Sequence, residues 1–337
     1  MNVENGTGKR VTMATVGRMA GVSQVTVSRA LSDPSKVSPE TLRRIREAIE
    51  LTGFVPNAIA GALASNRSNL VTALIPSLTN VVYSSFMAPF SETLRARGYQ
   101  ILLSETGFDP SEEEALISAH LSRRPDAMLL TGIQHTAATR RLLLGAAIPV
   151  VEVWDLSDSP VDLCVGFSHA EAGRAVADFA LDLGHSCAAS VTASDERAHR
   201  RRRAFADRFS ARGGASVRDV DVGGPASIRA GRTALAGLIE GQGPTPRLVF
   251  CSSDLLAHGV MIEAQARGLS IPEDLAVIGF GDQDFAAELE PALTSVRVDR
   301  KRLGRLAAEA LLARLAKSEV THPVVDVGFE IVRRGTT

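Results

Sequence analysis

From Leu70 onward the chain repeats one alternation, and no other feature limits its fold as much. Short apolar runs of strand length, at residues 70–75, 100–103, 127–131, 149–153, 163–166, 188–191, 217–222, 247–251 and 275–279, are separated by segments of helix length. Val- and Leu-rich strands joined through helices form parallel sheets covered on both faces. There are too many runs for one compact sheet, so two α/β lobes are expected. They would divide near 153–163, where residues 155–159 read as turn. In such folds ligands lie beyond the carboxyl ends of the strands.

The first 69 residues follow a different rule. Residues 1–10 read as a polar, disordered lead, 11–56 as a helical head and 57–69 as a hinge and linker ahead of a body at 70–337. Within the head, Gly21 permits the positive φ that closes a first short helix, and Ser23 is a good N-cap for a second. Val27 and Leu31 repeat at i and i+4, a stripe able to fold back on Val16 and Ala20. Gln24, Val25, Thr26, Ser28 and Arg29 are left outward at the start of that second helix. An exposed helix start of this kind suits a DNA major groove, where Gln pairs with adenine, Arg with guanine and Val touches a thymine methyl. The plainer alternative is a helical hairpin that only packs. Ser38, Pro39 and Glu40 start a third helix with Leu42, Ile45 and Ile49 on its core face, and Gly53 ends it.

Charge follows the same division. Residues 1–67 hold nine Lys or Arg against five acids, an excess of +4 in a chain of formal net charge −1, so the remainder carries −5. A basic head on a mildly acidic body fits a small phosphate-binding module joined to something else. Cys164, Cys187 and Cys251 lie far apart in apolar runs, which points to buried inert thiols and a reducing, cytoplasmic setting. No apolar run is long enough for a membrane span, and the N-terminus lacks the form of a secretory signal.

The run from Ala20 to Leu31, the helix start at Ser38-Pro39-Glu40 and the segment Pro56-Asn57-Ala58-Ile59-Ala60-Gly61-Ala62-Leu63 resemble the LacI/GalR family of bacterial repressors. The likeness extends over essentially the whole chain. It implies an all-α helix-turn-helix head on a two-lobed α/β sensor of the periplasmic-binding-protein type, with the chain crossing between lobes three times. It also implies a homodimer on double-stranded operator DNA, a small-molecule effector and hinge segments that become helical in the minor groove. Leu63 matches the leucine that levers a central base step apart, and Gly61 stands where many members have arginine. Gln24, Val25 and Arg29 then set base preference, while Thr12, Ser28 and Asn57 position phosphates. Met13, Ser23, Thr26 and Ala60 complete the candidate DNA-contact set.

Effector-binding candidates follow the strand runs. They are Ser77, Thr79, Asn80 and Tyr83 after the first run; His135 after the third; and Glu152 and Trp154 at the fourth. Ser168 and His169 follow the fifth, Arg197 and Arg201 the sixth, Ser253 and Asp254 the eighth, and Asp282 the ninth. Trp154 serves equally as a face for a sugar or as core packing. Of Arg200–203, at most two can face a cleft, since helical neighbours point about 100° apart; the others would form a solvated basic face. Family likeness favours Arg201, which precedes Ala204-Phe205 where members usually carry Gly and an aromatic; Arg197 is its rival.

Residues 75–80, 149–153, 165–167, 195–197 and 249–251 are similar to the gluconate-operon branch. Many family members have an acid where this chain has Gly281, and its loss disfavours a neutral sugar and favours an anionic effector such as a sugar acid. Enzymatic readings find no support. Gly279-Phe280-Gly281 and Gly241-Gln242-Gly243 complete no nucleotide fingerprint, and no Gly-x-Ser-x-Gly or HExxH occurs. The seven histidines lack metal-ligand spacing, so neither a metal nor another cofactor is expected. A transport solute-binding protein is the rival from another class, and the basic head argues against it.

Overall fold

The computed structural model describes residues 11–56, 67–107 and 110–337. The lead at 1–10 and most of the hinge, with Asn57, Ala60 and Leu63, lie outside the described residues. The chain divides into two compact units, residues 1–69 and 70–337.

In the first unit, helices α1 (Met13–Ala20), α2 (Gln24–Ser32) and α3 (Pro39–Thr52) enclose a small core of Val16, Ala20, Val27, Ala30, Ile45, Ala48 and Phe54. Local chemistry sets the boundaries. The Thr12 hydroxyl accepts from Thr15 N–H at the start of α1, and Gly21 closes that helix at φ 65°. The hydroxyls of Ser23 and Ser38 accept from the N–H groups of Thr26 and Thr41, capping α2 and α3. The expected stripe on α2 is corrected in one place. Leu31 is 37% exposed, and Ala30 takes the inward position beside Val27.

The second unit holds two six-stranded sheets. In the first lobe, β1 (Leu70–Ile75), α4 (Val81–Arg95), β2 (Gln100–Glu105), α5 (Pro110–Leu121), β3 (Ala127–Thr131), α6 (Ala137–Ala146), β4 (Val150–Val153) and β5 (Leu163–Gly166) follow in order. The second lobe runs through α7 (His169–Asp182), β6 (Ala188–Thr192), α8 (Glu196–Ala211), β7 (Arg218–Asp221), α9 (Ile228–Glu240), β8 (Leu248–Cys251), α10 (Asp254–Ala266), β9 (Ala276–Phe280) and β10 (Thr294–Arg297). Helix α11 (Arg300–Leu315) returns to pack on α4, β11 (Val324–Asp326) joins the first sheet and β12 (Glu330–Val332) the second. The strand orders are β11-β5-β4-β3-β1-β2 and β12-β10-β9-β8-β6-β7. The inner strands of both sheets are buried on both faces. On β1, Val71, Ala73 and Ile75 face the core beneath α4 and α11, while Leu74 joins Met128, Leu130 and Ile117 on the other side.

Three segments connect the lobes: 166–169, 297–300 and 326–330. The division therefore falls after Gly166, not at 153–163; β4 and β5 are paired neighbours in one sheet. Strands β10, β11 and β12 are three or four residues long and partly polar, too short for an apolar-run reading, and β12 runs antiparallel to β10. Cys164 and Cys251 are buried and Cys187 is half-buried. Among the described residues no helix is long and apolar enough to cross a membrane.

Candidate functional site

The candidate residues fall on two surfaces, one in each unit. On the head, Gln24, Val25, Ser28 and Arg29 are exposed along the first two turns of α2, and Val25, 65% exposed, is an apolar side chain held in water by a well-capped helix. Ser23 and Thr26 are partly engaged with each other, their hydroxyls 2.9 Å apart, and Thr12 is engaged with Thr15. Met13 packs half-buried against the head core.

In the body, the carboxyl ends of the strands of both lobes surround a cleft of about 730 Å³, a volume within the range of small-molecule sites. It gathers Ser77, Thr79, Asn80, Tyr83, Trp154, His169, Arg197, Arg201 and Ser253 from the sequence candidates. Two of these carry helix caps. The Asn80 side-chain oxygen accepts from Val82 N–H, and the Ser253 hydroxyl accepts from Leu256 N–H. Trp154 combines both of its expected roles. Its ring meets Tyr83, Phe86 and Phe167 edge-on at 5.7 to 6.5 Å, yet it lines the cleft and its indole N–H has no partner among the described residues.

The two rival arginines differ in what they already hold. Arg201 is 5% exposed; its Nη1 donates to His169 Nδ1 at 2.8 Å, its Nη2 to the Ser252 carbonyl at 3.1 Å, and its guanidinium lies 3.8 Å from the centre of the Phe280 ring. His169 must therefore carry its proton on Nε2, which donates to the Trp154 carbonyl at 2.8 Å. Burial, then the neighbouring Arg201, hold the His169 pKa well below its ordinary value, so the ring is a neutral prop. Burial also lowers Arg201 to about 10, which leaves it charged at neutral pH. Arg197, by contrast, donates once, from Nη2 to the Tyr83 hydroxyl at 2.8 Å, with its Nε 4.0 Å from Asp195. Arg201 is thus the more fully engaged of the two, with only its Nε unpartnered among the described residues, and Arg197 holds fewer bonds.

The outward arginines of the run are each paired with an acid. Arg200 pairs with Asp155 at 2.8 Å, Arg202 with Asp219 at 2.7 Å and Arg203 with Glu196 at 2.7 Å.

Five candidates lie outside the cleft. His135 and Glu152 are sealed beneath the first sheet: His135 Nδ1 meets Glu113 at 2.6 Å, its Nε2 lies 3.2 Å from Glu152, and Glu152 also accepts from Val161 N–H. Burial opposes the charge on His135, but the two glutamates outweigh it and lift the pKa to about 9. Ser168 is spent capping α7. Asp254 is wholly buried and accepts from Ser295 Oγ and Gln283 N–H, both at 2.6 Å; it sits inside α10, whose cap is Ser253. Burial raises its pKa to about 6, against those hydrogen bonds. Asp282 turns away to Arg334 at 2.7 Å and Arg297 at 3.6 Å. Sequence reading missed Arg300, which lines the cleft and donates to the carbonyls of Gly281 and Asp282. Its signal was hidden because the short strand before it, β10, was not recognised.

Residues 11–57 match the family model for bacterial regulatory proteins of the lacI family, and 177–337 match a periplasmic binding protein-like domain. The HTH-type transcriptional regulator GntR of Pseudomonas aeruginosa is 36% identical over 331 residues, covering 97% of this chain and 96% of its own length. The chain belongs to the LacI family. A LacI-family transcriptional regulator from Silicibacter pomeroyi has the same architecture, with a TM-score of 0.90 at 32% identity over 97% of this chain and 99% of that one. The transcription regulator GntR from Chromobacterium violaceum covers 79% of this chain and 98% of its own, with a TM-score of 0.74 at 34% identity. As a LacI-family member the chain is a DNA-binding transcription regulator with an effector-binding body, and it is not an enzyme.

Proposed function

We propose that this LacI-family chain represses a sugar-acid utilisation operon, binds its operator as a homodimer through α2, and is released when a gluconate-like acid enters the cleft. The observation that carries the anionic effector is the charge inventory of the cleft. Arg197, Arg201 and Arg300 line it against one acid, Asp195, and Gly281 supplies no carboxylate where many relatives in the family have one. Arg197 has further donors besides the one on Tyr83, enough for two parallel bonds to a carboxylate. Ser77 and Thr79 add polar groups for hydroxyls.

Homodimeric operator binding follows from how little one head reads. A single helix-turn-helix contacts a few base pairs, so two-fold pairing over a near-palindrome is the physical route to useful specificity. Release requires only that the acid bind one lobe arrangement better than the other. Calorimetry with gluconate, related aldonates and neutral hexoses tests the effector class. Binding of aldonates with no heat from hexoses is expected; tight hexose binding without aldonate binding refutes it. A gel shift on the region upstream of the chain's own gene, with and without the same acids, tests the operator.

A further inference from the structure

Two polar links cross between the lobes on the same face of α8, and they differ in what an effector would do to them. The first is Arg197 to Tyr83, made by the residue that grips the effector, so a bound acid competes with it. The second is Arg200 to Asp155. Asp155 follows β4 in the first lobe, Arg200 stands on α8 in the second, and Nη1 lies 2.8 Å from Oδ2. Neither residue lines the main cleft; both border a separate cavity of about 160 Å³ that shares Arg197 with it.

The acid of this pair is built in. Its side chain is 3% exposed, its Oδ1 accepts from Leu156 N–H at 2.9 Å, and its own carbonyl accepts from the Cys164 thiol. A carboxylate so desolvated is costly without its partner cation, and the only side-chain cation in hydrogen-bond contact with it among the described residues belongs to the other lobe. Parting the lobes would strand that charge, whereas closing them satisfies it.

We infer that the Asp155–Arg200 pair is an interlobe latch that biases the body toward closure independently of the effector's own contacts. The latch remains made when the Arg197–Tyr83 link is exchanged for ligand. A residue that shifts the open–closed balance without touching the ligand shifts apparent affinity in proportion to the fraction of the protein in the competent arrangement.

The sole tryptophan, Trp154, precedes Asp155 and lines the cleft, so it reports closure directly. Acrylamide quenching of the full-length protein is the test. Arg200→Met should raise the quenching constant at least about twofold with a red-shifted emission, as an opened cleft admits water and quencher, whereas Arg200→Lys should stay near wild type. If Arg200→Met does not fold, Asp155→Asn removes the charge at constant size and gives the same readout. Folded Arg200→Met or Asp155→Asn protein with wild-type quenching overturns the latch. With gluconate as probe, Arg200→Met should bind about tenfold more weakly. That arm rests on the proposed effector class; if wild type ignores gluconate, that reading fails while the quenching result still decides the latch.

Discussion

The head and the body place their recognition groups by opposite means. In the head, the outward residues are contiguous on one helix, and the bonds that hold them span three positions: Ser23 to Thr26, Thr12 to Thr15. In the body, Tyr83 and Arg197 meet across 114 residues, Arg201 and its Ser252 carbonyl across 51, Arg200 and Asp155 across 45. A local site tolerates change one side chain at a time. A site assembled from remote segments fails as a unit, because each group is positioned by the packing of whole elements.

The largest test of that contrast is Gly173→Val. A Cβ at Gly173 would lie 2.2 Å from the Arg201 carbonyl, backbone against backbone, where α7 crosses α8. Overpacking of this kind costs about 3 kcal/mol or more. The body's thermal transition should collapse, while the head, with its own core, keeps its salt-sensitive affinity for duplex DNA. Loss of both together would mean that the two units do not fold separately. Arg29→Ala should act in the reverse sense, costing about 1–3 kcal/mol of operator affinity with relaxed base preference and leaving the body's melt and effector binding unchanged in calorimetry. Ser23→Ala removes the α2 cap and should cost about 1 kcal/mol of head stability, seen as an earlier head transition in the melt.

A further test is one of pH. His135 has its folded pKa raised to about 9, above an ordinary value near 6.5. The stabilisation from its charged form is therefore complete below about 6.5 and is lost as pH rises through about 9. The Tm gap between wild type and His135→Gln should be widest near pH 6 and shrink toward pH 9.5. A gap independent of pH would show that folding leaves the His135 pKa unshifted, and a gap that widens as pH rises would show that the ring is neutral in the fold.

The same contrast explains what could be read from the amino-acid sequence. Caps at Ser23 and Ser38, the turn at Gly21 and the outward set on α2 were legible because each depends on residues a few places apart. The runs that form the central strands were legible because parallel strands buried on both faces are apolar along their length, whereas β2 and β7 stand at sheet edges and are half-exposed. The cleft was legible only in part. Position after a strand end brings Tyr83 and Arg197 into range, yet it says nothing of which way a side chain turns. Asp254 and Asp282 follow strand ends too, and they turn inward to Ser295 and outward to Arg334. His135 was drawn under the sheet by Glu113, 22 residues upstream. Nor could position show that His169, Ser252 and Phe280 already engage Arg201, which is what favours Arg197 in the proposal above.

The central claim is that an acid held at Arg197 changes the head's grip on DNA. It is tested most directly by operator affinity of the full-length protein, read by fluorescence anisotropy with and without saturating gluconate, in wild type and Arg197→Met. Gluconate should weaken operator binding by wild type and have no effect on the variant. Equal weakening in both proteins, or release of wild type by glucose and not by gluconate, would contradict it.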